Sequence, residues 1–127
     1  MKKFLFIFIL IIVILAEEAL GPTLSQGKVY AVVVSKKTLS NPGWKKVVGK
    51  LVEKYGAKVF VYSSDVWEVC VNLSKLASDY VCFVAPPSEA SPEFVKSVNR
   101  LMRGLDDDPY VDAVWAILTG YSYDDAL

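Results

Sequence analysis

Four short apolar runs alternate with three helix patterns along the chain, and this alternation constrains the fold more than any other feature of the sequence. The runs cover Val29–Val34, Val59–Tyr62, Tyr80–Ala85 and Val111–Leu118. They are rich in β-branched and aromatic residues, and they are mostly continuous rather than alternating apolar with polar. Each run therefore predicts a strand that is buried on both faces of a sheet.

Start and stop signals bound the three helices between these strands. Asn41–Pro42 supplies an N-cap and a first-turn residue, and Gly56 ends that helix. The second helix starts at Asp65–Glu68, which has the spacing of a capping box, and runs to residue 76. Ser91–Pro92 starts the third helix and Gly104 stops it.

Strands that alternate with helices predict parallel pairing through right-handed crossovers. We expect a three-layer α/β sandwich of the order β-α-β-α-β-α-β, with a mostly parallel four-stranded sheet of flavodoxin-like class. The strand orders 2-1-3-4 and 3-2-1-4 both satisfy the crossover rule. The last strand ends in a turn at Gly120 with few residues after it, so we expect the front part of a larger domain whose edge strand pairs with another chain.

The N-terminus has the pattern of a secretory signal. Met1–Lys3 carries two lysines, and the thirteen residues Phe4–Ala16 are all apolar. A membrane-spanning helix needs roughly 17 to 25 apolar residues, so export is favoured over permanent anchoring. We predict a signal peptide over residues 1–20, a linker over 21–27 and the α/β domain over 28–127. The alternative is a membrane anchor at residues 1–20 if the signal stays uncleaved.

Charge and composition exclude several functions. Fourteen basic and fourteen acidic residues cancel, so no electrostatic field steers the chain toward nucleic acid, and we expect no nucleic-acid partner. The chain contains no histidine, which is the commonest acid/base residue near neutral pH. A thiol or hydroxyl nucleophile consequently has no histidine partner within the chain. We therefore expect no catalysis by the isolated chain.

Polar residues after the first and fourth strands are the candidate ligand contacts, because functional crevices lie at the carboxyl ends of parallel strands. These residues are Ser35 and Ser40 after the first strand, and Thr119 after the fourth. The segment 35–40 lacks the glycines that allow a backbone to approach a phosphate, so no nucleotide or other cofactor is expected. A solvated polar loop is favoured over an anion site.

Two further groups of residues invite a chemical interpretation. Cys70 and Cys82 fall in a predicted helix and a predicted strand, where buried free thiols are favoured over a disulfide bridge between them. Asp106, Asp108 and Asp112 are weak candidates for a Ca²⁺ site, but they lack the spacing of a calcium loop. A solvated turn before the fourth strand is the favoured interpretation.

Several segments resemble a known family. The stretch from Val29 to Asp125 resembles the opening of gingipain-type cysteine peptidase domains of exported prokaryotic proteins, most of all at YVCFV, DDDPY, WAILTGY and DAL. The resemblance implies a caspase-like α/β fold, of which this chain covers about the first half. It also implies export.

The family's catalytic residues do not carry over. In that family a histidine and a cysteine stand at the ends of two strands, whereas this chain has no histidine, Cys70 on a predicted helix and Cys82 within a strand. Ala116 also replaces an expected glycine. The favoured hypothesis is a non-catalytic N-terminal portion or remnant of such a domain. The alternative is a complete small exported α/β protein that binds a ligand or partner through the loops after the first and third strands. An enzyme acting through carboxylates such as Asp108 and Asp112 is least favoured.

Overall fold

Strands and helices alternate in the predicted order in the computed structural model, which describes residues 27–108 and 113–127. The strands are β1 (Tyr30–Ser35), β2 (Lys58–Tyr62), β3 (Tyr80–Val84) and β4 (Val114–Leu118). The helices are α1 (Lys36–Leu39), α2 (Pro42–Tyr55), α3 (Cys70–Leu76), α4 (Pro92–Arg103) and α5 (Tyr123–Ala126), with a 3₁₀ helix at Val66–Val69 just before α3.

The four strands form one all-parallel sheet in the order β2-β1-β3-β4. Of the two orders that the sequence left open, the structure has 2-1-3-4. Val33 at the centre lies between Phe60 of β2 and Phe83 of β3, and Phe83 in turn pairs with Ile117 of β4. The predicted α/β class and the parallel four-stranded sheet are therefore confirmed.

Side chains alternate between two hydrophobic clusters on the two faces of the sheet. Ala31 and Val33 face the side covered by the 3₁₀ helix, α3 and α4, which we call the α4 side. Val32 and Val34 face the side covered by α2, which we call the α2 side. Because both faces of β1 are buried, its sequence is a continuous apolar run, as expected for a central parallel strand.

The two faces differ in how far helices cover them. On the α4 side the core contains Phe83, which is fully buried and lies edge-on to Trp115 with ring centroids 6.3 Å apart. On the α2 side, α2 packs Trp44, Val47 and Val48 against β1, and the short α5 adds only Ala126. In the described part of the chain, β4 therefore has less cover on its α2 side than on its α4 side.

Two predicted segments differ from the structure near the first crossovers. The helix expected from Asp65 onward starts as a 3₁₀ helix, because its three-residue period turns both Val66 and Val69 into the core. The segment after β1, expected to be a loop, contains α1, which Ser35 caps.

Other predicted boundaries fall partly outside the described residues. The fourth strand was expected from Val111 but begins at Val114, and residues 109–112 lie outside the described part. The predicted signal at 1–20 and most of the linker at 21–27 also lie outside it.

Candidate functional site

The carboxyl ends of β1 and β3 flank the point where the chain changes direction across the sheet. From β1 the chain passes outward to β2, and then crosses back over β1 to β3 and β4. In open α/β sheets, ligands bind in the crevice at such a switch point. The loops that follow β1 and β3 are therefore the first candidate for a functional site.

Ser35 ends β1 and organises the first of these loops. Its Oγ accepts a hydrogen bond from the backbone N–H of Thr38 at 3.0 Å, which caps α1. The two residues are only 4% and 3% exposed. The prediction that Ser35 lies in a solvated loop is therefore wrong. Ser35 is buried, and its hydroxyl caps α1.

Glu89 reaches the same place from the loop after β3. The backbone N–H groups of Glu89 and Ala90 both donate to the carbonyl of Pro86, so this loop turns back on itself. The Glu89 carboxylate accepts a hydrogen bond from Ser35 Oγ at 2.7 Å and another from Thr38 Oγ1. Glu89 therefore joins the two loops across the switch point.

Tyr62, the last residue of β2, completes this group. It is buried, and its hydroxyl donates to Oε2 of Glu89 at 3.4 Å. Burial, and then the neighbouring carboxylates of Glu89 and Asp65, raise the pKa of Tyr62 well above its usual value. The phenol is therefore a neutral hydrogen-bond donor at physiological pH. We call Ser35, Thr38, Tyr62 and Glu89 the Glu89 cluster.

A polar cavity of about 470 Å³ opens beside the Glu89 cluster, at the carboxyl ends of β1 and β2. Three members of the cluster, Ser35, Tyr62 and Glu89, line it. The rest of its polar lining comprises Lys37, Ser63, Ser64, Asp65, Ser91 and Ser97. Hydroxyls, carboxylates and one ammonium group offer both donors and acceptors. The cavity therefore has the chemistry to hold a small polar ligand.

Two of the three predicted ligand residues lie apart from the Glu89 cluster. Ser40 is exposed, and its hydroxyl donates to the backbone carbonyl of Lys37 at 2.7 Å. Thr119 is exposed beside Tyr121 in a shallow depression past the end of β4. The structure therefore does not bring Ser40 and Thr119 together with Ser35.

Sequence reasoning missed Thr38, Tyr62 and Glu89 as members of the site. A usable signal was present, because Glu89 follows Pro86–Pro87 in the loop after β3, and that loop must face the loop after β1 if the order is 2-1-3-4.

Both cysteines are free thiols, and each is half-buried rather than fully buried. Cys70 packs on the α4 side of the sheet and Cys82 on the α2 side, so the alternative of a bridge between them is wrong. Burial raises the pKa of the Cys82 thiol, which therefore stays protonated at neutral pH. Cys82 also lies at the middle of β3, away from the carboxyl end where chemistry takes place in such folds.

The aspartates after α4 form an exposed turn. The backbone N–H of Asp108 donates to Oδ1 of Asp106 at 2.9 Å, so this carboxylate stabilises the turn. Asp112 lies outside the described residues. Among the residues that the structure describes, no group of three His, Cys, Asp or Glu side chains is placed to hold a metal ion.

A second surface lies on the α2 side of β3 and β4. The register and the alternation of side chains place five apolar or weakly polar residues there, which we call the open face: Tyr80, Cys82, Val114, Ala116 and Leu118. Val114 is 63% exposed. An apolar groove of about 310 Å³ separates these residues from the last turns of α2.

An aromatic stack forms one wall of this groove. Tyr30 lies between Tyr55 and Tyr80, with ring centroids 4.8 and 4.9 Å apart. Stacked rings at these separations are favourable beyond the area that they bury. The stack links α2 to the sheet, whereas Val114 and Ala116 on the β4 half of the open face remain exposed.

The outer edge of β4 borders the open face. Within residues 27–108 and 113–127, β4 pairs with β3 and no strand lies on its other side. Natural sheets protect their edges with charged residues, prolines or bulges. β4 (VWAIL) has neither a charge nor a proline, whereas β2 at the opposite edge starts with the exposed Lys58.

Neither the described helices nor comparison with other proteins adds an identity to these surfaces. No helix in the described ranges is long and apolar enough to cross a membrane. Comparison of the chain with known protein families, curated proteins and solved structures finds no match.

Proposed function

We propose that the chain is the non-catalytic N-terminal portion or remnant of an exported gingipain-type cysteine peptidase domain, and that it acts by associating with further polypeptide at β4. The observation that carries this proposal is the open face beside the outer edge of β4. A sheet in a layered α/β fold buries both faces. Here Val114 and Ala116 remain exposed on the α2 side, as expected if further polypeptide completes the sandwich.

The placement of the thiols supports a non-catalytic role. Cys82 lies within β3 with its pKa raised by burial, and Cys70 begins α3. A nucleophilic cysteine needs a lowered pKa and a base within hydrogen-bond reach. The chain has no histidine to act as that base.

Export is part of the same proposal. It rests on the two lysines and the apolar run at the N-terminus, and on the resemblance to exported domains. We propose a secreted product, with anchoring through residues 1–20 as the alternative.

The second candidate function is that of a complete small exported protein that binds a polar ligand. The polar cavity beside the Glu89 cluster favours it, because its donors and acceptors lie at the switch point of the sheet. Such a protein needs no partner at β4, so the two candidates make different predictions for the open face.

Binding of the dye 8-anilinonaphthalene-1-sulfonate tests whether the open face is accessible in the folded protein. We expect the native protein to bind the dye and Val114→Lys to reduce the fluorescence by more than about half, because a charge replaces an exposed apolar group. Val61→Lys is the matched control, because Val61 is also exposed on the α2 side but lies on β2 at the other edge. If the native protein binds no dye, or both variants respond alike, the open face is not the association surface and the binding-protein candidate gains.

A further inference from the structure

We infer that the polar cavity beside the Glu89 cluster binds a neutral, polyhydroxylated ligand of the sugar class. The inference rests on the second candidate function and names its ligand. The cavity is lined by residues of the 3₁₀ helix and α4, which cover the opposite side of the sheet from the open face. Ligand binding there therefore does not depend on association at β4.

Hydroxyl groups dominate the polar lining of the cavity. Five serines and Tyr62 supply six hydroxyls, against the three charged side chains of Lys37, Asp65 and Glu89. Among the described residues, the hydroxyls of Ser63 and Ser97 have no hydrogen-bond partner. A hydroxyl both donates and accepts, so these groups match a ligand that presents hydroxyls itself.

Glu89 offers a carboxylate oxygen with spare acceptor capacity. Its Oε1 accepts hydrogen bonds from both Ser35 and Thr38, whereas Oε2 accepts only the long bond of 3.4 Å from Tyr62. Each carboxylate oxygen can accept two hydrogen bonds. Oε2 can therefore take a further hydrogen bond from a ligand hydroxyl.

The charged groups of the cavity favour a neutral ligand over an ion. Asp65 is engaged in capping the 3₁₀ helix, where its Oδ1 accepts a hydrogen bond from the backbone N–H of Trp67 at 2.9 Å. Glu89 and Lys37 remain for the ligand, and their charges balance. The Glu89 carboxylate opposes an anion and the Lys37 ammonium opposes a cation. A zwitterion would satisfy both charges but would leave the hydroxyls of the lining without partners.

The size and the apolar part of the cavity also suit a sugar ring. Its volume of about 470 Å³ lies within the range of small-molecule sites, roughly 300 to 1,000 Å³. Phe94 is half-buried against the core on the α4 side and lines the cavity. The negative face of an aromatic ring attracts C–H groups, which a sugar presents on the apolar side of its ring.

Saturation-transfer NMR of the full chain tests the site. The probes are D-glucose, D-galactose, N-acetyl-D-glucosamine and the methyl glycoside of each, at about 10 mM, which is ten times a millimolar Kd. We expect at least one of these sugars to give a saturation-transfer signal. A preference for a glycoside assigns the site to the end of a glycan chain, and a preference for the free sugar assigns it to a small-molecule ligand.

Two variants with matched controls locate the binding. Ser97→Leu should abolish the signal because the leucine side chain fills the cavity, whereas Asn99→Leu, exposed on the same helix, should not change it. Lys37→Met should raise the Kd about tenfold, because the ligand loses a charged donor. Lys36→Met, also exposed, is its control. Because Lys37 is exposed, its variant tests the site even if Ser97→Leu does not fold.

The absence of a signal from every sugar would overturn the inference. Sugar binding that a folded Ser97→Leu variant retains, or that Lys37→Met does not weaken, would also overturn it. Glycine and inorganic phosphate are tested in the same way. If one of them binds and no sugar does, the sugar class is wrong but the second candidate function stands. If no probe binds, that function loses its support as well, while dye binding at the open face still tests association at β4 separately.

Discussion

Glu89 makes the side-chain hydrogen bonds that join the loops after β1 and β3 at the switch point of the sheet. Its carboxylate accepts hydrogen bonds from Ser35 and Thr38, two hydroxyl groups in almost fully buried residues. A buried hydroxyl without an acceptor is unfavourable, because it loses its hydrogen bonds to water without replacement. Glu89 therefore stabilises the contact between the loops and shapes one wall of the polar cavity.

Replacing Glu89 with alanine should lower the free energy of unfolding by about 2 kcal/mol, because it leaves two buried hydroxyls without their acceptor. Urea denaturation measures this change. Glu53→Ala, on the exposed surface of α2, serves as the control and should change stability by less than about 0.5 kcal/mol. Equal stability of the native protein and Glu89→Ala would show that the carboxylate does not hold the loops together.

Individual residues show where prediction from sequence ends. The location of Cys82 within a strand followed from the apolar run around it, and the structure confirms it. The contact between Ser35 and Glu89 joins positions 54 residues apart. It depends on the strand order, so the sequence points to Glu89 only if the order 2-1-3-4 is chosen over 3-2-1-4.

The capping box before α3 is the clearest example at the scale of an element. Glu68 accepts hydrogen bonds from the backbone N–H groups of Ser63, Ser64 and Asp65, at 2.9 to 3.1 Å. These three bonds lower the pKa of Glu68 to about 2 from an ordinary 4.5. The carboxylate therefore fixes the turn between β2 and the 3₁₀ helix.

This capping box makes stability depend on pH in the acid range. Because the pKa of Glu68 is lower in the folded than in the unfolded state, its contribution is full above about pH 4.5 and is lost as the pH falls toward 2. We expect Glu68→Gln to lower stability at pH 7 and to differ less and less from the native protein as the pH approaches 2. Thermal unfolding between pH 2 and 7 measures this. A stability difference that is constant across the range would contradict the role of the charge.

Whole elements were predicted better than their details. Asn41, Pro42 and Gly56 bound α2 as expected, because caps and stops are local signals. The short α5 was not expected. It packs Tyr123 so closely on Gly43 that a Cβ there would lie 2.2 Å from the tyrosine ring. Such a contact between distant segments leaves no periodic pattern in the sequence.

At the scale of the whole molecule, helices cover the two faces of the sheet to different extents in the described residues. The 3₁₀ helix, α3 and α4 cover the α4 side, whereas α2 and the short α5 cover only part of the α2 side in the described residues. The apolar outer edge of β4 lies next to the uncovered part. We infer from this asymmetry that association is the function of the unit, rather than chemistry at the switch point.

The state of assembly of the protein from its own cells tests this claim most directly. Native mass spectrometry of the protein, purified without denaturant, gives the mass of the intact particle. A single copy of the chain has a mass of 14.1 kDa before any processing. We expect a heavier particle, whether it contains a second copy, another polypeptide or a longer chain that continues the same domain. A particle at or below 14.1 kDa would contradict the proposal, because the open face and the edge of β4 would then function without a partner.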